Sequence, residues 1–242
     1  MIFFIIIFIR SIVFNLLFYV STALTSIWCS TVLRYSSRET LVRFLGRWAR
    51  LNVWLLKVVV GIDLKVEGLH HFSTIDKPLI IASKHQSTWD TFIFHVLCDD
   101  PAYVMKQGLF RIPFYGTCAK KVGMIGINRT EKAASLKNLV KGVSAALDRK
   151  QTVIIFPEGT RVSPRRESSY QHGVYLLYHR MKDVSVVPVA LNSGKHWSRN
   201  SWMRYPGTIH VVFLPPMPTK LNRESFMKTL SVSIENACAK LP

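Results

Sequence analysis

Residues 80–94 read IIASKHQSTWDTFIF, and how this stretch is taken decides the fold. An aliphatic run ends at Lys84, His85 and Asp90 follow with four residues between them, and a helical apolar pattern resumes in TFIFHVL. A buried strand running into a polar loop and then a helix is the repeating unit of an α/β sheet. Two readings of the pair are open at this point. His85 and Asp90 are an unrelated loop histidine and helix-capping aspartate, or they are a general base and the carboxylate that orients it.

Local geometry allows the second reading. On one regular helix, residues five apart are turned about 140° from a common face. Ser87 and Asp90, however, have the spacing of a capping box, with Ser87 as the cap and Asp90 as the third helical residue. Asp90 then points back toward the helix start, where His85 lies on the loop. A carboxylate bonded to one imidazole nitrogen fixes the tautomer and frees the other nitrogen to take a proton. Histidine titrates close to neutrality and suits that work. A His-x4-Asp string alone is weak support, so its surroundings matter.

From about residue 61, short β-rich runs alternate with helical ones: IDLKVEG, PLIIAS, AYVMK, KVGMIGI, QTVIIF, VSVVPVAL and TIHVVFLP. Between Thr130, a plausible N-cap, and Lys150, the residues Leu136, Leu139, Val140, Val143, Ala146 and Leu147 share one helical face. RESFMKTLSVSIENACAKL forms a last helix. The pattern predicts an α/β fold over residues 61–242, a single largely parallel sheet flanked by helices. Sites on such sheets gather beyond the carboxyl ends of strands. KHQSTWD, INRT and FPEGTR all occupy that position. FPEGTR sets Glu158 and Arg161 around a glycine, and INRT sets Arg129 before a helix. Arginine's planar fork suits a phosphate, although either arginine would also serve as a structural salt bridge. With no Gly-x-Ser-x-Gly elbow, no phosphate loop and no evident nucleophile, the histidine would activate a hydroxyl or water supplied from outside.

The first 33 residues carry one charge, Arg10, and Ser11 to Leu33 is an uncharged run of 23 residues. Crossing a bilayer takes roughly 20, and no small-residue cleavage site follows. Residues 1–33 are therefore expected to be a membrane-embedded helical anchor, either spanning or re-entrant. Residues 34–60 hold Arg34, Arg38, Arg43, Arg47, Arg50 and Lys57 against Glu39. With Leu41, Phe44, Leu45, Trp48, Leu51 and Trp54 interleaved, they suggest a basic amphipathic interfacial helix; a core helix with solvated arginines is the alternative. The positive-inside tendency puts this side in the cytoplasm. The chain's formal charge of +18 suits an anionic partner. Four scattered cysteines imply neither a zinc site nor a disulfide framework.

Taken together, HQSTWD, GMIGINR, FPEGTR and VVPVAL, with KQGLFRIPFYG between the first two, resemble the four sequence blocks of the glycerolipid acyltransferases, specifically the bacterial 1-acyl-glycerol-3-phosphate type. The resemblance runs over roughly residues 60 to 215, in family order. It implies that His85 deprotonates the acceptor hydroxyl, oriented by Asp90, and that the oxygen attacks an acyl thioester directly. It implies that Arg129, Glu158, Gly159, Thr160 and Arg161 hold the lysophosphatidic acid head group, with Lys106 a weaker candidate. Neither metal nor other cofactor is implied; acyl-CoA or acyl carrier protein serves as donor substrate. The implied location is the bacterial inner membrane, with the catalytic domain facing the cytoplasm. Three positions depart from the family pattern: Lys84 stands where asparagine is frequent, Gly126 replaces a common aromatic, and Tyr170-Gln171-His172-Gly173 stands for Phe-Lys-x-Gly.

Other functions fit parts of this pattern. An acyltransferase for another lysophospholipid or a lyso-aminolipid would keep the chemistry, a thioester hydrolase would use water, and a basic membrane-surface protein would use neither. Nucleic acid is disfavoured, because the opening segment is lipid-like and no binding motif for DNA or RNA is present.

Overall fold

The computed structural model describes residues 2–75, 78–128, 132–164, 169–181 and 183–242. In chain order the helices are α1 (Ile2–Thr31), α2 (Arg38–Leu55), α3 (His70–Ser73), α4 (Asp90–Leu97), α5 (Tyr115–Val122), α6 (Lys132–Asp148), α7 (Gly173–Arg180), α8 (Ser193–His196) and α9 (Arg223–Lys240). The strands are β1 (Ile62–Glu67), β2 (Leu79–Ser83), β3 (Pro101–Lys106), β4 (Ile125–Ile127), β5 (Thr152–Ile155), β6 (Ser185–Leu191) and β7 (Gly207–Phe213). They form one sheet in the order β1-β7-β6-β2-β5-β3-β4. β6, β2, β5, β3 and β4 are mutually parallel; β7 is antiparallel to β6 and parallel to β1. The expected α/β fold with a largely parallel sheet is the one observed.

Sequence pattern explains the layering. β2 is buried at all five positions and β6 at six of seven, as strands covered on both faces should be. One face carries Ile81, Ile154, Val187 and Val189 against α4 and the anchor region. The other carries Ile80, Ala82, Val153 and Val186 against α6, α7 and α9. One boundary differs from the sequence reading. KVGMIGI is not strand throughout: Lys121 and Val122 end α5, and the strand begins at Ile125. Gly123, at φ +90°, supplies the left-handed turn that stops the helix. The expected cap Thr130 lies outside the described residues.

The N-terminal helix is long and apolar enough to cross a membrane, yet it packs lengthwise on the domain. Ser11 Oγ accepts the Arg204 N–H at 2.8 Å, and Asn15 Nδ2 donates to the Trp202 carbonyl at 2.8 Å. Phe14 and Phe18 meet Trp197 edge-on at 5.4 and 5.2 Å between ring centres. Near its other end Cys29 is buried with Leu41, Cys118 and Val122. The remaining faces expose Phe3, Phe4, Phe8, Ile9, Leu16 and Leu24. Of the predicted interfacial region, α2 buries Leu41 and Ala49 but exposes Leu51 and Trp54, so the helix has both a core face and a free apolar edge.

Candidate active site

The site lies at the carboxyl ends of the adjacent parallel strands β2 and β5. The Lys84 N–H donates to the Val189 carbonyl, extending β2 by one bond, and the chain then leaves the sheet. His85 Nδ1 is 3.1 Å from Asp90 Oδ2. That oxygen also accepts the N–H groups of Gln86 at 2.6 Å and Ser87 at 2.8 Å. Oδ1 accepts the hydroxyls of Ser193 at 2.6 Å and Ser87 at 3.2 Å. The two main-chain N–H groups and the two hydroxyls all donate to Asp90. The His85 side chain is 12% exposed.

Local sequence builds most of this. Asp90 is the first residue of α4 rather than the third, and Ser87 Oγ accepts the N–H of Trp89 at 3.0 Å. The reciprocal bond of the capping box, from Ser87 N–H to the Asp90 carboxylate, forms as the spacing implies. The turn tightens the loop and points the carboxylate at His85. Phe156, just past β5, stacks on the imidazole with ring centres 4.0 Å apart.

The FPEGTR loop is clasped onto the His85 loop. The His85 N–H donates to Glu158 Oε2 at 2.7 Å, the Val162 N–H to the His85 carbonyl at 2.8 Å, and Arg161 Nη1 to Thr88 Oγ1 at 2.8 Å. Gly159 sits at φ +69° in a turn closed by its own N–H onto the Phe156 carbonyl, a conformation that favours glycine. Thr160 is exposed, and Arg161 is partly exposed. The Glu158 side chain is enclosed and pairs with Lys84 Nζ at 2.7 Å. Its carboxylate thus faces the protein interior, unlike the head-group contact that the resemblance implies for it. Lys106 is exposed at the end of β3, one strand beyond β5. Arg129 follows β4 and lies outside the described residues.

Three participants had no local signal. Ser193 reaches Asp90 from α8, the Gly194 N–H donates to Gln86 Oε1 at 2.9 Å, and Glu235 of α9 bonds Lys84 Nζ at 2.6 Å. Among the described residues no three His, Cys, Asp or Glu side chains converge to hold a metal ion. Two clefts lie elsewhere: about 380 Å³ lined by Lys120, Lys121, Asn138 and Arg149, and about 250 Å³ lined by Trp54, Lys57 and Asp63. Neither includes His85.

His85, Asp90 and the clasped Arg161 come together at one strand edge, and comparison with known proteins shows the family. Residues 63–192 match the family model described as Acyltransferase. The chain belongs to the acyltransferase family. A relative from Pseudomonas aeruginosa (strain PAO1), named 1-acyl-sn-glycerol-3-phosphate acyltransferase, is 34% identical over 212 residues, covering 86% of this chain and 80% of the relative. A human relative, 1-acyl-sn-glycerol-3-phosphate acyltransferase alpha, is 27% identical over 173 residues, 71% of this chain and 60% of its own length. The crystal structure of the 1-acyl-sn-glycerophosphate (LPA) acyltransferase PlsC from Thermotoga maritima superposes with a TM-score of 0.72, covering 97% of this chain and 98% of that one, at 19% identity. That likeness shows the shared fold. This acyltransferase therefore has its His-Asp pair at the strand edge where α/β proteins gather their chemistry.

Proposed function

We propose that this acyltransferase esterifies the free sn-2 hydroxyl of lysophosphatidic acid to give phosphatidic acid. The observation that carries the reading is the His85–Asp90 contact, with Arg161 held on Thr88 of the same loop. Nε2 takes the proton of the acceptor hydroxyl as its oxygen attacks the thioester carbonyl carbon. The carbon–sulfur bond breaks as the tetrahedral intermediate collapses, and the imidazolium returns the proton to the departing thiolate. Asp90 holds the ring and stabilises its charged form. The thioester supplies the driving force, whether the donor is acyl-CoA or acyl carrier protein.

Arg161 is the head-group contact best supported, because Thr88 holds its guanidinium beside the His85 loop. Lys106 ends β3, which pairs with β4, and Arg129, which follows β4 in sequence, is a further candidate. Glu158 acts by holding the His85 main chain rather than by touching lipid.

The acyltransferase works at a membrane, with α1 lying along it rather than crossing it. Thirty residues of helix reach about 45 Å, yet the face bearing Ser11, Phe14, Phe18 and Cys29 is covered by protein, so lipid can reach only the other faces. Exposed Leu51 and Trp54 continue the apolar surface, and the neighbouring arginines suit anionic head groups. In a bacterial cell this is the cytoplasmic face of the inner membrane.

The test offers the purified protein in lipid vesicles labelled acyl-CoA, or acyl carrier protein donor, with a panel of lysolipids. Ester on lysophosphatidic acid, lost in His85→Ala, supports the reading. Ester only on another lysolipid changes the acceptor, free fatty acid alone indicates hydrolysis, and a full rate in His85→Ala removes the base.

A further inference from the structure

Lys84, the residue before the catalytic histidine, is 2% exposed at a strand end, where an ammonium is rare unless paired. Its Nζ lies 2.7 Å from Glu158 Oε1 and 2.6 Å from Glu235 Oε1. Glu235 stands on α9, 151 positions away, with its side chain 40% exposed. The Tyr170 hydroxyl donates to the same Glu235 oxygen at 3.0 Å. Burial by itself would lower the Lys84 pKa, but the two carboxylates together hold it above its ordinary value, so the ammonium persists. Burial, then Glu235 and Glu158, push the Tyr170 phenol up, so it stays a donor. Lys84 and Tyr170 are both positions where the sequence departs from the family pattern, and both side chains converge on Glu235 Oε1.

Glu158 passes this network on, because its second oxygen accepts the N–H of His85. We propose that Glu235 and Lys84 are positioning residues for acyl transfer, through which α9 sets the placement and the electrostatic surroundings of His85. The inference rests on His85 being the base. The ionisable groups on this network are Asp90, which meets the ring, Glu158 on the His85 N–H, Arg161 on Thr88 of the same loop, Lys84 on Glu158, and Glu235 and Tyr170 beyond Lys84; Tyr103 of β3 lies behind Phe156, which stacks on the ring. Removing the Lys84 charge makes the surroundings one unit more negative and favours the imidazolium. Removing the Glu235 charge does the opposite.

The experiment measures kcat, acceptor KM and the pH profile of kcat/KM for the full chain in vesicles with acyl-CoA and lysophosphatidic acid. Lys84→Met and Glu235→Gln should each lower kcat about tenfold with acceptor KM held within about twofold, and Glu235→Asp should recover part of the loss. The acidic limb should move up by about half a pH unit in Lys84→Met and down by about as much in Glu235→Gln. Limbs that stay fixed or move the same way, or a wild-type rate in Glu235→Gln, overturn the proposal. If Lys84→Met does not fold, Glu235→Gln at its partly exposed position decides alone by the downward shift. His85→Ala separates the two readings: retained activity removes the base itself, whereas an inactive His85→Ala with unmoved limbs removes only this network.

Discussion

Ser193 donates its hydroxyl to Oδ1 of Asp90 at 2.6 Å, from 103 positions further along the chain. Both side chains are fully buried. Ser193→Ala should therefore leave a buried carboxylate oxygen short of its strongest donor, at a cost of about 1–3 kcal/mol. If Asp90 acts through His85 as proposed, kcat should fall about tenfold while acceptor KM holds. Steady-state kinetics with and without the substitution decide it.

Asp90→Asn keeps the size and inverts the polarity. An amide placed there turns donors toward the N–H groups of Gln86 and Ser87, and it no longer fixes the imidazole tautomer. A fall in kcat of roughly 10⁴-fold is expected, on the scale of an equivalent change in a serine protease triad. Thermal unfolding should show a loss of about 3 kcal/mol, because several buried bonds end on this one group. Activity near wild type would show that the carboxylate only caps the helix.

Arg161 reaches Thr88 Oγ1 while its carbonyl accepts from Arg199 Nη1 at 2.7 Å. Arg161→Ala should raise acceptor KM about tenfold with a smaller effect on kcat. Arg161→Lys should recover little, since an ammonium lacks the planar fork. An unchanged response to lysophosphatidic acid concentration would remove the assignment.

Two sets of substitutions in α1 should separate folding from membrane contact. Phe14 is fully buried against Phe18 and Trp197, so Phe14→Ala should cost about 3–5 kcal/mol of stability. Phe4 and Ile9 are exposed; Phe4→Ser with Ile9→Ser should leave unfolding unchanged and weaken co-sedimentation with vesicles. Equal vesicle binding by the double variant would count against the in-plane anchor.

His95, on α4, has an enclosed Nδ1 with no hydrogen-bond partner among the described residues. Burial lowers its pKa from 6.5 to about 4, against a smaller opposing pull from Asp100. Between those values the unfolded chain binds a proton that the native ring refuses. The stabilisation is full above about pH 6.5 and declines as the pH falls toward 4, by about 3 kcal/mol at most. Denaturant unfolding at pH 7 and pH 5 should show that slope, and His95→Gln should flatten it.

Periodicity located the seven strands among the described residues: strands buried on both faces, such as β2 and β6, are continuous apolar runs, and the half-exposed β1 shows alternation. The capping-box spacing allowed a contact between His85 and Asp90, and the structure makes it, with Asp90 starting α4 rather than standing third in it. Helix α5 was hidden behind KVGMIGI, where Gly123 turns the chain without interrupting the apolar pattern. Glu158 carried a recognisable motif, but the direction its carboxylate faces depends on Lys84, which nothing nearby in sequence reveals.

The sequence by itself determined the α/β layering, the strand-end placement of HQSTWD and FPEGTR, the family and the apolar N-terminal helix, because each is carried by short local patterns and by their order along the chain. Only the tertiary structure decided that Ser193 and Glu235 support the site and that α1 packs lengthwise on the domain. Those contacts join residues more than 100 positions apart. Such pairings are set by sheet order and helix packing, which no local periodicity encodes.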